Sequence, residues 1–388
     1  MTGGFVPGAY AIAGVGETAV GVLPDRTTTG LALDAMRAAI LDAGLTVDEV
    51  DGIVCDQPAN APQRSYALAL ARTLGVHPHY ATDLALGGAS PAASVIHAIL
   101  AIGAGLAHTV VCVHTQKQAT GRAEARRGRL FDGLEDYEEP FGLTSAVSQH
   151  ATVAARHMHE FGTTSEQLAA VAVAFRKHAA LNPAATMRTP ITIADVLSSR
   201  WITKPLHLLD CCLVSDGAGA VVVTASERAQ TLRKPPVFVA GFGLGYTAGP
   251  LENPTLTTLG GAESSATAYR MSGLRPSDVD FAELYDCFTI IPLVTLEDYG
   301  FCAKGEGGAF VSAGRIELDG ELPVNTHGGL LSHGHVEGMQ HLTEAVKQLR
   351  GGEVEPERQV ARARVGIVSG HGAMLSAHAT LILTKEQP

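Results

Sequence analysis

Internal repetition constrains this chain more than any other feature. Residues 87 to 114 run from a glycine-rich turn through an apolar helical period to a strand at 108 to 114, and the same order recurs from Gly328 through Leu349 to a strand at 364 to 369. DGAGAVVVT at 216 to 224 likewise has a counterpart in SAHATLILT at 376 to 384. Two similar α/β units imply a pseudo-symmetric pair whose active site lies where they meet. Further strands are predicted at 9 to 15, 50 to 55, 79 to 84, 237 to 245 and 279 to 284, alternating with helices at 31 to 43, 64 to 74, 262 to 272, 289 to 299 and 337 to 350. Such alternation is the pattern of a sheet covered by helices. The expected division is a first half over 1 to 235, interrupted by an inserted cap at 115 to 205, and a second half over 236 to 388.

Composition narrows the function classes. With 28 basic and 39 acidic residues the formal net charge is −11, and there is a single Trp, so the chain lacks the basic face that nucleic acid requires. At 46% apolar and 17% charged over 388 residues it buries a core without covalent staples, and its six cysteines form no CxxC pair. With no signal peptide before Gly8, this points to the reducing cytoplasm. Residues 91 to 114 are apolar for long enough to mimic a membrane span, but His97, Gly103, Gly105 and His108 divide them into a buried helix, a turn and a buried strand.

Several motifs bear on chemistry. Gly14-Val15-Gly16 and Gly241-Phe242-Gly243-Leu244-Gly245 read as close-packed strand ends, because neither opens directly into a phosphate-binding helix. Six histidines crowd the last third (His327, His333, His335, His341, His371, His378). A metal site needs short-spaced partner ligands that the sequence does not supply, so no metal is expected, and a histidine at a loop-to-helix junction suits proton transfer instead. Tyr285-Asp286-Cys287-Phe288 follows an apolar strand, where sites form in α/β sheets, although a packed core ring fits Tyr285 as well. Gly87-Gly88-Ala89-Ser90 makes the equivalent turn in the first half and aims a helix N-terminus and backbone N–H groups at one point.

With LLDCCLVSDGAGAVVV (208 to 223), AELYDCFTIIPLVTLEDYGFCAKGEG (282 to 307) and NTHGGLLSHGHVEGMQHLTEAVKQLRG (325 to 351), the whole chain resembles the thiolase superfamily, nearest to the sterol-carrier-type thiolases and the thiolase-like lipid-transfer proteins and aldolases. The resemblance implies two α/β halves in a five-layered αβαβα arrangement with an inserted loop domain, a homodimer, and coenzyme A as part of the substrate with no permanently bound cofactor. It implies as well a small partner carrying an OB-fold and a zinc ribbon. Arg122, Arg126 and Arg127 in the insertion either meet the nucleotide phosphates or form a solvated basic loop.

The family's nucleophilic cysteine is missing, for Ala89 stands in its place, and no second cysteine occurs near Gly370-His371-Gly372. The histidine of the family's GHP motif matches His335, and Tyr285 takes the place of the Asn or His of its NEAF or HDCF motif. The resemblance also places backbone oxyanion donors at Ala89 and Gly372 and a substrate contact at His371. A lyase that cleaves a branched or steroid-type 3-hydroxyacyl-CoA with Tyr285 and His335 needs no covalent step. An acyltransferase would need Cys287 or Ser90 as a replacement nucleophile, and a carrier or scaffold subunit would need neither.

Overall fold

The computed structural model describes residues 5–58, 64–121, 139–247 and 255–388. The first half contributes β1 (Tyr10–Glu17), α1 (Thr28–Ala43), β2 (Gly52–Asp56), α2 (Tyr66–Leu74), β3 (Tyr80–Leu84), α3 (Ser90–Gly103), β4 (Thr109–Lys117) and β7 (Asp216–Ala225). Between β4 and β7 lie α4 (Ala146–Phe161), α5 (Ser165–Leu181), α6 (Ile193–Ser198), β5 (Trp201–Thr203) and β6 (Leu206–His207). After α7 (Ser226–Ala229) come β8 (Val237–Tyr246), α8 (Gly261–Ser272), β9 (Phe281–Glu283), α9 (Ile290–Asp298), α10 (Gly307–Ser312), α11 (Gly329–Ser332), α12 (Met339–Arg350), β10 (Val365–Gly372) and β11 (Ala377–Thr384).

Strand order exposes the symmetry. The large sheet runs β3-β2-β4-β7-β1-β8-β11-β10-β9, so β4-β7-β1 and β10-β11-β8 are mirror sequences of equivalent strands. The halves join through a short antiparallel pairing of Ala11 with Phe238 and Ile12 with Val237. α3 and α12 lie between the two halves of the sheet, each touching strands of both, while α1 and α2 cover the outside of the first half and α8 the outside of the second. The result is the expected layering of helix, sheet, helix, sheet, helix. Strands in such a sandwich bury both faces, which is why β7 and β11 read as nearly unbroken apolar runs. Val221 and Val223 of β7 and Leu381 and Leu383 of β11 enter the central core, whereas Val222 and Ile382 face the outer helices.

The glycines near the chain's repeated strands serve helix approach. A Cβ on Gly14 or Gly16 would sit 2.2 or 2.3 Å from carbonyls of α1, and one on Gly241 would sit 2.3 Å from a carbonyl of α8. Strand ends packed against helices are what the sequence predicted. Residues 91 to 114 likewise form a buried helix, a turn and a buried strand, and no helix among the described residues is long and apolar enough to cross a membrane. All six cysteines are free thiols.

One boundary moves. The helix predicted from residue 337 starts at Met339, because Glu337 (φ 52°) and Gly338 (φ 83°) adopt left-handed backbone that ends the preceding loop.

Candidate active site

Tyr285 follows the carboxyl end of β9, and three neighbours fix it. Asn325 accepts the Leu284 N–H at 2.6 Å and donates to the Leu284 carbonyl at 2.8 Å, so one side chain clamps both sides of that residue. The Tyr285 N–H donates to Ser369 Oγ of β10 at 2.9 Å. The ring then lies on bare backbone, since a Cβ on Gly88 would fall 2.1 Å from Tyr285 Cζ. No other residue type leaves that space. Gly338 bounds the ring from the other side, at 2.9 Å from an added Cβ to Tyr285 Cδ2.

His335 meets Tyr285 within the second half, and the first half holds it there through Ser215. Tyr285 Oη and His335 Nε2 are 3.2 Å apart, and the His335 N–H donates at 3.1 Å to Ser215 Oγ, just before β7 in the first half. Both rings are buried, with His335 at 9% exposure. Burial raises the Tyr285 phenol well above its ordinary range, and the carboxylate of Glu337 adds to the rise. The phenol is therefore protonated where it meets the imidazole.

Glu337 is the site residue that sequence reasoning passed over, although it sits two positions after His335 in the same motif. Gln116 of β4 donates a hydrogen bond to its Oε1. Burial raises its carboxyl, although His335 and Gln116 work in the other direction. Asp56 at the end of β2 is raised well above its ordinary range by burial and then by the charge of Glu337. A carboxyl of the first half thus feels the charge of one in the second. Only chain tracing through the fold brings Asp56 there.

The remaining polar residues of the YDCF segment are structural. Asp286 accepts the Leu330 and Leu331 N–H groups at 2.8 and 3.2 Å, capping α11, and lies 3.1 Å from His341 Nε2. Glu283 lies 3.0 Å from His327 Nδ1 and 3.5 Å from His341 Nδ1, and its other oxygen accepts the Thr326 N–H and hydroxyl. Burial alone would depress the His341 imidazole, but Asp286 and Glu283 on either side lift it to about 9. Burial alone would raise Glu283, and His327 and His341 instead bring it down to about 2. The ligand atoms of Glu283, His327 and His341 lie within 4.8 Å of one another, a spacing compatible with a metal ion. Sequence spacing alone did not anticipate this cluster, and an imidazolium held between two carboxylates accounts for it as it stands.

Three expectations need correction. Ala89 does cap α3, but its N–H donates to the Leu86 carbonyl at 3.2 Å within the turn, so it is not aimed outward at an oxyanion. Ser90 Oγ accepts the Leu86 N–H at 2.9 Å and braces the same turn, with no base beside it among the described contacts. Cys287 is buried and contacts His150 Nε2 at 3.5 Å, yet burial pushes its thiol well up and holds His150 down at about 4. A neutral thiol beside a neutral imidazole is no activated nucleophile.

Gly372 and His371 lie close to these residues. A Cβ on Gly372 would lie 2.0 Å from the Leu86 carbonyl, so the end of β10 touches the Gly87–Ala89 turn. The His371 ring lies 6.2 Å from Tyr285 and 5.5 Å from His150, centroid to centroid. His150 comes from α4 of the insertion, and nothing in its mid-helix sequence context marked it. Arg122, Arg126 and Arg127 fall outside the described residues.

Residues 249–385 match the family described as "Thiolase C-terminal domain-like". The chain is 38% identical to a "Steroid side-chain-cleaving aldolase" of Thermomonospora curvata, over 94% of this chain and 96% of that one. It is also 38% identical to a "17-hydroxy-3-oxo-4-pregnene-20-carboxyl-CoA lyase" of Mycobacterium tuberculosis, over 94% and 97%. The solved structure "Ltp2-ChsH2(DUF35) aldolase" superposes with a TM-score of 0.89 at 36% identity and covers 98% of both chains. The chain thus has whole-length relatives named as aldolases and lyases, and it belongs to the thiolase superfamily, in the branch of the side-chain-cleaving aldolases.

Proposed function

We propose that the chain cleaves the Cα–Cβ bond of a branched or steroid-type 3-hydroxyacyl-CoA by a retro-aldol reaction, releasing a ketone or aldehyde and a shortened acyl-CoA. The observation that carries this reading is the 3.2 Å contact between Tyr285 Oη and His335 Nε2 beside a turn that holds Ala89 where a thiolase needs its nucleophile. In the reaction a base removes the 3-hydroxyl proton while the bonding pair moves onto the α carbon as a thioester enolate, and an acid then protonates that carbon. One proton leaves oxygen and one arrives at carbon, so a couple that passes a proton internally closes the cycle. His335 as base and the Tyr285 phenol as acid fill these roles.

Tyr285→Phe and His335→Ala test the assignment. Each is expected to lower turnover by at least about 10²-fold, the usual loss for a general acid or base. Mass-spectrometric product analysis with 3-hydroxyacyl-CoA and 3-oxoacyl-CoA panels reads the reaction itself. Release of a carbonyl product plus shortened acyl-CoA without free coenzyme A supports the lyase, whereas turnover of 3-oxoacyl-CoA with free coenzyme A alone overturns it in favour of acyl transfer. We further infer assembly as a homodimer with a small OB-fold and zinc-ribbon protein. The name of the superposed aldolase, which includes a DUF35 component, supports the second part.

A further inference from the structure

Glu283, His327 and His341 converge from three separate segments: the end of β9, the turn before α11 and the first turn of α12. Each is at most 1% exposed. Thr326 fixes one Glu283 oxygen through its N–H at 3.0 Å and its hydroxyl at 2.9 Å. The other oxygen, Oε2, faces the Nδ1 atoms of both imidazoles, 3.0 Å away at His327 and 3.5 Å at His341. Short as these distances are, none of the three atoms has a hydrogen-bond partner. A proton on His341 holds the cluster together without an ion, but it leaves both ring nitrogens of His327 unpaired in the interior, which is costly.

Three donor atoms gathered within 4.8 Å of one another are what a metal ion needs. Around a tetrahedral zinc ion, neighbouring nitrogen and oxygen donors are about 3.3 Å apart. The observed 3.0 and 3.5 Å bracket that separation. Asp286 Oδ1, 3.1 Å from His341 Nε2, stands where a carboxylate orients the far nitrogen of a metal-bound imidazole. Two imidazoles with one carboxylate suit zinc better than calcium or magnesium, which take oxygen donors. The three residues are far apart in the chain, so only the fold assembles the set.

We propose that Glu283 Oε2, His327 Nδ1 and His341 Nδ1 bind a zinc ion. None of the three side chains is open to substrate, so the ion braces the fold. It ties the strand that leads into Tyr285 to the two segments on either side of His335, whatever reaction that pair performs.

The test uses the full-length protein, free of other chains, produced in zinc-supplemented and in cobalt-supplemented medium and then dialysed. Metal analysis should find about one zinc ion per chain, as a mononuclear site requires. His327→Leu and Glu283→Gln should each retain at least about tenfold less. The cobalt form should absorb in the visible as a four-coordinate centre with nitrogen and oxygen donors, a signature read on the unaltered protein and therefore independent of whether either variant folds. Less than roughly a tenth of an equivalent of metal in the unaltered protein overturns the site. Full metal content in either folded variant does the same. A thiolate-to-cobalt charge-transfer band overturns it too, because it places the ion on cysteines.

Discussion

The two halves of this molecule share a scaffold and divide the chemistry unequally. β4-β7-β1 with α1 and α3 matches β10-β11-β8 with α8 and α12, down to glycines that let one outer helix lie directly on its strand. At the site, however, the first half offers mostly backbone: the Gly87–Ala89 turn that receives the Tyr285 ring, with Ser90 spent on bracing it. The second half offers Tyr285, His335, Glu337 and His371. Symmetry therefore governs packing, which depends on shape and apolar pattern, while reactivity depends on side chains that either half is free to lose.

The largest expected effect separates the halves by acid. Burial lowers His114 in the first half to about 3, His150 in the insertion to about 4 and His333 and His378 in the second half to about 3, and it lowers His371 well below its ordinary range. Each is neutral when folded and takes up a proton when unfolded below about pH 6.5. Stability is thus fully present above that value and falls as pH drops, by up to about 1.4 kcal/mol per pH unit for each imidazole. Urea unfolding from pH 7 to 4 should show this slope, and replacing His333 and His378 should flatten it more than replacing His114 alone. Equal flattening would show that the imbalance between the halves has no energetic weight.

His341 has the opposite sign. Its folded value of about 9 lies above the unfolded one, so its contribution is complete below about pH 6.5 and is lost between there and 9. The expected size is about 3 kcal/mol. In His341→Asn that alkaline loss should disappear, leaving a flat curve across the same interval.

Smaller effects probe the scaffold. Gly14→Ala and Gly241→Ala press a methyl on α1 and α8 at equivalent places, and each should lower stability by about 1–3 kcal/mol with acyl-CoA affinity unaltered. A several-fold difference between the two in thermal unfolding would break the symmetry. The least effect is expected at the β10–β11 turn, where Ala373, Met374 and Leu375 all have positive φ, from 48° to 77°. Met374→Gly relieves one such residue and should raise stability by about 0.5–1 kcal/mol, measured by the same unfolding.

Much of the fold was legible because a strand buried on both faces must be apolar throughout, and because helices end at residues such as Gly44 and Gly75 that enter left-handed backbone. Tyr285 and His335 were legible from their places at a strand end and a loop-to-helix junction. Glu337 was not, because a carboxylate near a histidine is commonplace in sequence, and only Gln116 and Asp56 from the other half give it a distinct environment.

By itself the sequence determined two repeated α/β units and marked Tyr285 and His335 as candidates for proton transfer. Tertiary structure decided which of the named groups are able to act. Hydrogen bonds spent inside the turn remove Ala89 and Ser90, and desolvation silences Cys287. Residue identity fixes what a group is able to donate or accept, but whether that capacity is already used, or is suppressed by burial, depends on neighbours distant in the chain.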